Sequence, residues 1–183
     1  MIKQLDGIYE KVDYEKNSSV LLYLNHEYEN YPIHWHTAME IIMPLENSYK
    51  AVINKVPYNL NLGDILIIPP GELHELYAPP FGCRIIFQFD FSIISNLKGF
   101  AGILPILLQP RLITSNNSSD IHDELQQLLL DIKDESAQND NLSEAAIYSK
   151  IIQMFILTAR KYMNTGSLFP DVKISKQKEY CFS

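Results

Sequence analysis

Cysteine is scarce in this chain. The two it has, Cys83 and Cys181, are far apart and form no metal-binding or redox spacing. That excludes a disulfide framework or a cysteine metal knot, and both read as free thiols of a reducing compartment. Long apolar runs are missing too: nothing approaches the ~20 residues needed to cross a bilayer. The start, MIKQLDGIYEKVDYEK, carries charges where a signal peptide needs an apolar stretch, so the expected location is the cytoplasm. Positive charge is the third shortage. Fifteen Lys and Arg face 22 Asp and Glu, for a net charge of −7. Such a surface repels phosphate backbones and makes the chain a poor nucleic-acid binder on its own. There are no internal repeats and no low-complexity tracts. What remains is ordinary globular usage, 46% hydrophobic and 20% charged over 183 residues. That suits one domain with some additional elements.

The first hundred or so residues read as β-structure. SVLLYL (Ser19 to Leu24) is rich in strand formers, and IHWHTAMEIIM follows after a polar, aromatic loop. A turn spans Pro44 to Ser48, where Asn47 tolerates a left-handed backbone. YKAVI and VPYNL flank Asn54-Lys55, the spacing of a two-residue hairpin. ILII runs from Gly63-Asp64 into Pro69-Pro70-Gly71, and CRIIFQFDF is strand-like again. Short strands at regular turn spacing predict a sandwich or barrel rather than a doubly wound fold. Phe91 to Pro110 carries no clear pattern, and Arg111 to Thr114 is a candidate strand. The character then changes. Ile121, Leu125, Leu128 and Ile132 fall on one helical stripe. A second helix is predicted from about Ser143 to Asn164, with apolar rows Ile147, Ile151, Met154 and Ile152, Phe155, Ala159, Met163. So wide an apolar surface predicts packing on the sheet and on a further helix, in this chain or in a second subunit. Residues 166–183 read as a linker.

The chemistry begins in HWHTAME, residues 34–40. On a strand, residues at even separations share a face, so His34, His36 and Glu40 would point into one space. On a helix His34 would point away. Trp35 has the opposite parity and is expected in outer packing. A second pattern lies downstream: Gly63, five residues, Pro69-Pro70-Gly71, two residues, His74. The Pro-Gly corner is expected to reverse the chain and return His74 toward the strand it left. Three imidazoles and a carboxylate suit one first-row divalent ion, with Zn, Ni, Mn and Fe the candidates. Such a set leaves positions open for water or substrate.

These residues resemble the two cupin motifs, G-x5-H-x-H-x3,4-E-x6-G and G-x5-P-x-G-x2-H-x3-N. His34, His36 and Glu40 match the ligands of the first motif, and His74 the histidine of the second. Gly63, Pro69 and Gly71 match scaffold positions. The chain departs at Tyr28 and Asn47, where the first motif has glycine, and at Ala78, where the second has asparagine. The resemblance implies a mainly β fold, a cupin-type jelly-roll barrel followed by two C-terminal α-helices. Over more of its length the chain resembles the N-terminal effector-binding region of AraC-type transcription regulators. That implies a small-molecule effector in a barrel of residues 1–115 and a dimerising helical pair at 116–165, hence a homodimer. Residues 166–183 would then lead toward a helix-turn-helix DNA-binding domain absent from this chain.

Alternatives stay open at this point. The four residues are metal ligands or hydrogen-bonded pocket lining. Tyr23, Tyr49, Arg84, Phe87 and Gln88 are further candidates for the pocket wall, Tyr49 and Gln88 foremost. His26 and His122 are expected at the surface and Cys83 in the core. The expected function is a non-catalytic, ligand-sensing regulatory domain; the alternative is a small metal-dependent cupin enzyme, a dioxygenase or isomerase.

Overall fold

The computed structural model describes residues 5–15, 18–138 and 140–163, together with Gln177 and Cys181. Apart from those two positions, the expected linker 166–183 lies outside the described residues, as does Asn164. Strands β1 (Leu5–Asp6) and β2 (Tyr9–Glu10) form a small hairpin around Gly7. Next come β3 (Val20–Asn25), β4 (Tyr31–His34), β5 (Ala38–Glu46), β6 (Tyr49–Ile53), β7 (Val56–Leu60), β8 (Ile65–Ile68), β9 (His74–Tyr77) and β10 (Cys83–Asp90). Short helices α1 (Ser92–Ser95) and α2 (Leu104–Leu107) precede β11 (Arg111–Ile113). Helices α3 (His122–Gln138) and α4 (Ser143–Met163) follow.

The strands form two larger antiparallel sheets, ordered β11-β8-β5-β10-β3 and β4-β9-β6-β7. They face each other across a shared core, but no ladder joins them into the closed barrel the sequence led us to expect. The predicted hairpin is present: β6 and β7 pair around Asn54 and Lys55, both left-handed with φ of 48° and 71°. Asn47 is left-handed as well, with φ of 62°.

Side-chain alternation divides the five-stranded sheet between two cores. Ile42, Leu66, Ile68 and Ile86 point inward and meet Tyr49, Ala51, Ile53, Leu60 and Leu76 of the facing sheet. The odd-numbered neighbours Met39, Ile41, Met43, Ile65, Ile67, Ile85, Phe87 and Phe89 point outward beneath the helices. Phe87, a candidate for the pocket wall, therefore belongs to the helix-facing core. Leu125, Leu128, Leu129 and Ile132 of α3 close over this face with Ile147, Ile151, Met154, Phe155 and Ala159 of α4. Each fully buried side chain of this size contributes about 1.5–3 kcal/mol. Both apolar rows of α4 are largely covered within the chain, and its exposed positions are Ala145, Ser149, Gln153, Arg160 and Met163. Asp140 caps this helix, its Oδ1 accepting from the amides of Leu142 and Ser143 at 2.7 and 2.9 Å. The unpatterned stretch 91–110 contains the two short helices, so the helices number four among the described residues rather than two. Ile94 and Leu107 of these helices, with Phe100 from the turn between them, complete the outer core.

Candidate metal centre

The expected single strand through HWHTAME is broken. β4 ends at His34 and β5 begins at Ala38, and the two lie in different sheets. The chain crosses between the layers at residues 35–37. His34 therefore enters the interior from one sheet, Glu40 from the other, and His36 from the crossing between them. The Pro-Pro-Gly corner likewise moves the chain between layers instead of returning it to β8. His74 opens β9, where it pairs directly with His34. Gly71 makes this possible: its φ is 75°, and its amide donates to the His36 carbonyl at 2.9 Å, tying the two motifs together. Gly63, at the foot of β8, has φ of 77°, and a Cβ there would collide with the Gln126 side chain of α3.

The result is a compact cluster. His34, His36, Glu40 and His74 are all at least 98% buried, and one ligand atom from each lies within 4.8 Å of every other. Each imidazole is aimed by a backbone carbonyl two residues away. Nδ1 of His34 lies 2.9 Å from the Pro32 carbonyl, that of His36 3.0 Å from Ala38, and that of His74 2.8 Å from Glu72. A carbonyl only accepts, so Nδ1 carries the hydrogen and Nε2 faces the cluster. Carbonyl-anchored imidazoles of this kind are how metal-binding histidines are held. Glu40 Oε2 is the focus: His36 Nε2 lies at 2.6 Å, Gln88 Nε2 at 3.3 Å and His74 Nε2 at 3.6 Å. Burial alone would push the Glu40 carboxyl up, but the hydrogen bond from His36 and the charge of His36 and His74 outweigh it and hold it well below the ordinary range.

The donor set fits a divalent ion. On an octahedral ion with bonds of about 2.1 Å, adjacent ligand atoms stand about 3.0 Å apart and opposite ones about 4.2 Å. Separations from 2.6 to at most 4.8 Å need shifts of roughly half an ångström to comply. His74 Nε2 is buried with no hydrogen-bond partner within range, an orphan that a metal would satisfy. The 2.6 Å contact between His36 and Glu40 requires a proton between them, which a metal would replace.

Two members of the cluster, His34 and Glu40, line a cavity whose free volume is about 20 Å³, room for roughly one water. Tyr49 and Gln88 line it, as do Tyr23 and Arg84. Tyr49 is pushed up to about 12 by burial, and burial likewise raises Tyr23. Sequence reasoning missed Glu10. This carboxylate is 98% buried and sits 3.3 Å from His34 Nε2. The β2 strand carries it there because the Glu10 amide donates to the Trp35 carbonyl and the Trp35 amide to the Ile8 carbonyl, both at 2.9 Å. Trp35 is half-buried against Tyr9, with ring centroids 4.8 Å apart. Asp6-Gly7, a hairpin dipeptide between apolar residues, signals the β1–β2 turn but not where the hairpin docks. His122, expected at the surface, is buried. Its Nε2 meets the Gly63 carbonyl at 3.1 Å, fastening α3 to the second motif. His26 is exposed and Cys83 buried, as expected.

No protein-family model matches the chain, and no curated protein matches it in sequence. Solved structures match it in fold. Apo ToxT K231A from Vibrio cholerae superposes with a TM-score of 0.54 at 14% identity, over 91% of this chain and 64% of that one. The AraC-like transcriptional activator CuxR superposes with a TM-score of 0.52 at 7% identity, over 76% of this chain and 46% of that one. The chain thus spans about half to two thirds of those two proteins. An RmlC-like cupin from Shewanella frigidimarina matches 41% of this chain and 69% of its own at 18% identity, with a TM-score of 0.38, too partial to carry weight. At these identities the likeness is one of fold: the chain is folded like the matched parts of ToxT and of CuxR. Among the described residues, no helix is long and apolar enough to cross a membrane.

Proposed function

We propose that this chain is the ligand-sensing domain of an AraC-type transcription regulator, with a metal-assisted site between its sheets and DNA binding supplied by a separate domain. The observation that carries the reading is how β5 and β10 divide their two faces. Glu40 and Gln88 face the site, while Met39, Ile41, Phe87 and Phe89, their immediate neighbours, form the floor on which α3 and α4 rest. A small displacement of either strand reaches the helices in one step, through side chains in van der Waals contact. Packed cores answer such shifts by switching between arrangements rather than by yielding gradually. The likeness to CuxR, itself an AraC-like transcriptional activator, runs through most of the chain.

His34, His36, Glu40 and His74 would hold the ion, and Glu10 stands beside His34. Bound there, a divalent ion would act as a Lewis acid that anchors an oxygen of the effector. The chain's own part is to aim three Nε2 atoms through fixed carbonyls, keep Glu40 ionised, and exclude water. The effector must favour one arrangement of sheets and helices over another, since equal affinity for both would shift nothing. The domain would pair through its helical layer as a homodimer, and its setting would be the cytoplasm.

Hydrogen exchange tests this. Adding Mn²⁺, Ni²⁺ or Zn²⁺ to metal-stripped protein should change amide protection in α3 and α4 as well as in β5. A change confined to residues 34–40 and 74 would contradict the relay. The second reading, a metal-dependent enzyme, draws on the same three-imidazole, one-carboxylate set. The coding sequence beyond Ser183 separates the two: a helix-turn-helix pair supports the regulator, and a stop codon there supports the enzyme.

A further inference from the structure

Among the described residues, Arg84 is a buried charge that the reading above leaves unexplained. It sits on β10 inside the same cavity and is only 4% exposed. No carboxylate among the described residues lies within ion-pairing distance of it. Its guanidinium carbon stacks 4.2 Å from the centre of the Tyr49 ring, which fixes the plane of the group. One nitrogen, Nη2, donates to the Glu27 carbonyl at 3.1 Å, and Nε has no hydrogen-bond partner. A buried cation without a counter-ion is costly and seldom kept. Burial pulls this guanidinium below its ordinary value, and Tyr49 and Tyr23 offset only part of that.

Building on the sensing role above, we propose that the effector is a small organic carboxylate and that Arg84 is its receptor. Nε and Nη2 lie along one edge of the guanidinium, and that edge matches the two oxygens of a carboxylate. Nε is unclaimed and Nη2 holds only a main-chain carbonyl, so an entering carboxylate takes both by displacing Glu27. Glu27 lies in the irregular segment between β3 and β4, which lines the mouth of the cavity. Its release opens the space that the closed form, with about 20 Å³ free, lacks. Ile86 and Leu76 offer the ligand's body an apolar wall beyond the guanidinium. Tyr23 and Tyr49, which both feel the charge of Glu40, line the same cavity as Arg84, His34 and Glu40. The cavity thus has a cationic end for the carboxylate and a metal end for a second oxygen.

The test is calorimetric titration of the metal-loaded full chain with benzoate, hexanoate and glutarate, each paired with its amide, and with inorganic phosphate. The acids should bind roughly 10–100-fold more tightly than the amides, the range expected for charge-assisted hydrogen bonds. Arg84→Gln should erase that preference, and Arg84→Lys, which keeps the charge but loses the fork, should keep part of it. The acid–amide comparison needs no variant, so a misfolded Arg84→Gln protein leaves the test intact. Equal binding of acid and amide, equal binding by wild type and Arg84→Gln, or a preference for phosphate overturns the proposal. Acid binding through Arg84 with no change in α3 and α4 exchange supports the receptor and sinks the sensing role. Exchange changes driven by metal while no acid binds sink the receptor and leave the sensing role standing.

Discussion

Removing one imidazole should remove most of the stability that metal confers, and the size of the loss can be worked out beforehand. Four buried donors converge within 4.8 Å in the folded chain, whereas the unfolded chain scatters them over forty residues of sequence. A metal at about 100 times its dissociation constant then stabilises the native state by about 2.7 kcal/mol. For a domain of this length each kcal/mol moves the melting temperature by roughly 2–4 °C, so metal-stripped wild type should gain about 5–11 °C. His36→Ala deletes the donor closest to Glu40, at 2.6 Å. Even outer partners of a metal site are worth 10–100-fold in affinity, so a ligand should be worth at least about 100-fold. The same metal concentration then only equals the variant's dissociation constant and adds about 0.4 kcal/mol, a shift of roughly 1–2 °C. Differential scanning fluorimetry with Mn²⁺, Ni²⁺ and Zn²⁺ reads both numbers. An equal gain in His36→Ala would place the metal elsewhere, and no gain in wild type would reduce the four residues to pocket lining.

Further expectations concern the frame around the site. Phe155, fully buried and edge-on to Phe89 at 5.8 Å, fixes α4 to the sheet. Phe155→Ala should cost about 3–5 kcal/mol in urea unfolding, and a loss under 1 kcal/mol would mean that α4 is not seated there. Lys55 holds φ of 71° in the hairpin turn, so Lys55→Gly should raise stability by about 0.5–1 kcal/mol; a decrease would contradict the turn geometry. Tyr49 is raised by burial to about 12 in the folded chain against 10 for the free group. A raised value means that its contribution is full below pH 10 and is lost as pH climbs toward 12. Tyr49→Phe should flatten that alkaline fall in stability, and an unchanged slope would count against the burial.

The four-residue cluster was legible because residue identity and spacing survive the loss of the strand that was expected to explain them. Parity brought His34, His36 and Glu40 to one side for a reason that is only partly right, since the chain changes sheets between His34 and Ala38. Parity holds along β5 and β10, but it could not say which face of β10 was inner. That is why Phe87 stood beside Gln88 as a pocket candidate although the two point into different cores. The β6–β7 hairpin was visible because its two-residue turn leaves little freedom. Strand β9 was hidden: four residues after a Pro-Gly corner carry too little pattern to declare themselves. Glu10 escaped because its burial depends on a tertiary contact with Trp35 that no local pattern encodes. His122 escaped similarly, looking like a polar position at a helix start while its partner, the Gly63 carbonyl, lies 59 residues earlier.

X-ray absorption at the edge of the bound metal, on untagged protein, tests the central claim most directly. The account predicts about one ion per chain, with three imidazole nitrogens and a carboxylate oxygen at roughly 2.0–2.2 Å. An ion whose shell contains no histidine, or folded protein that takes up no divalent ion at all, would contradict it.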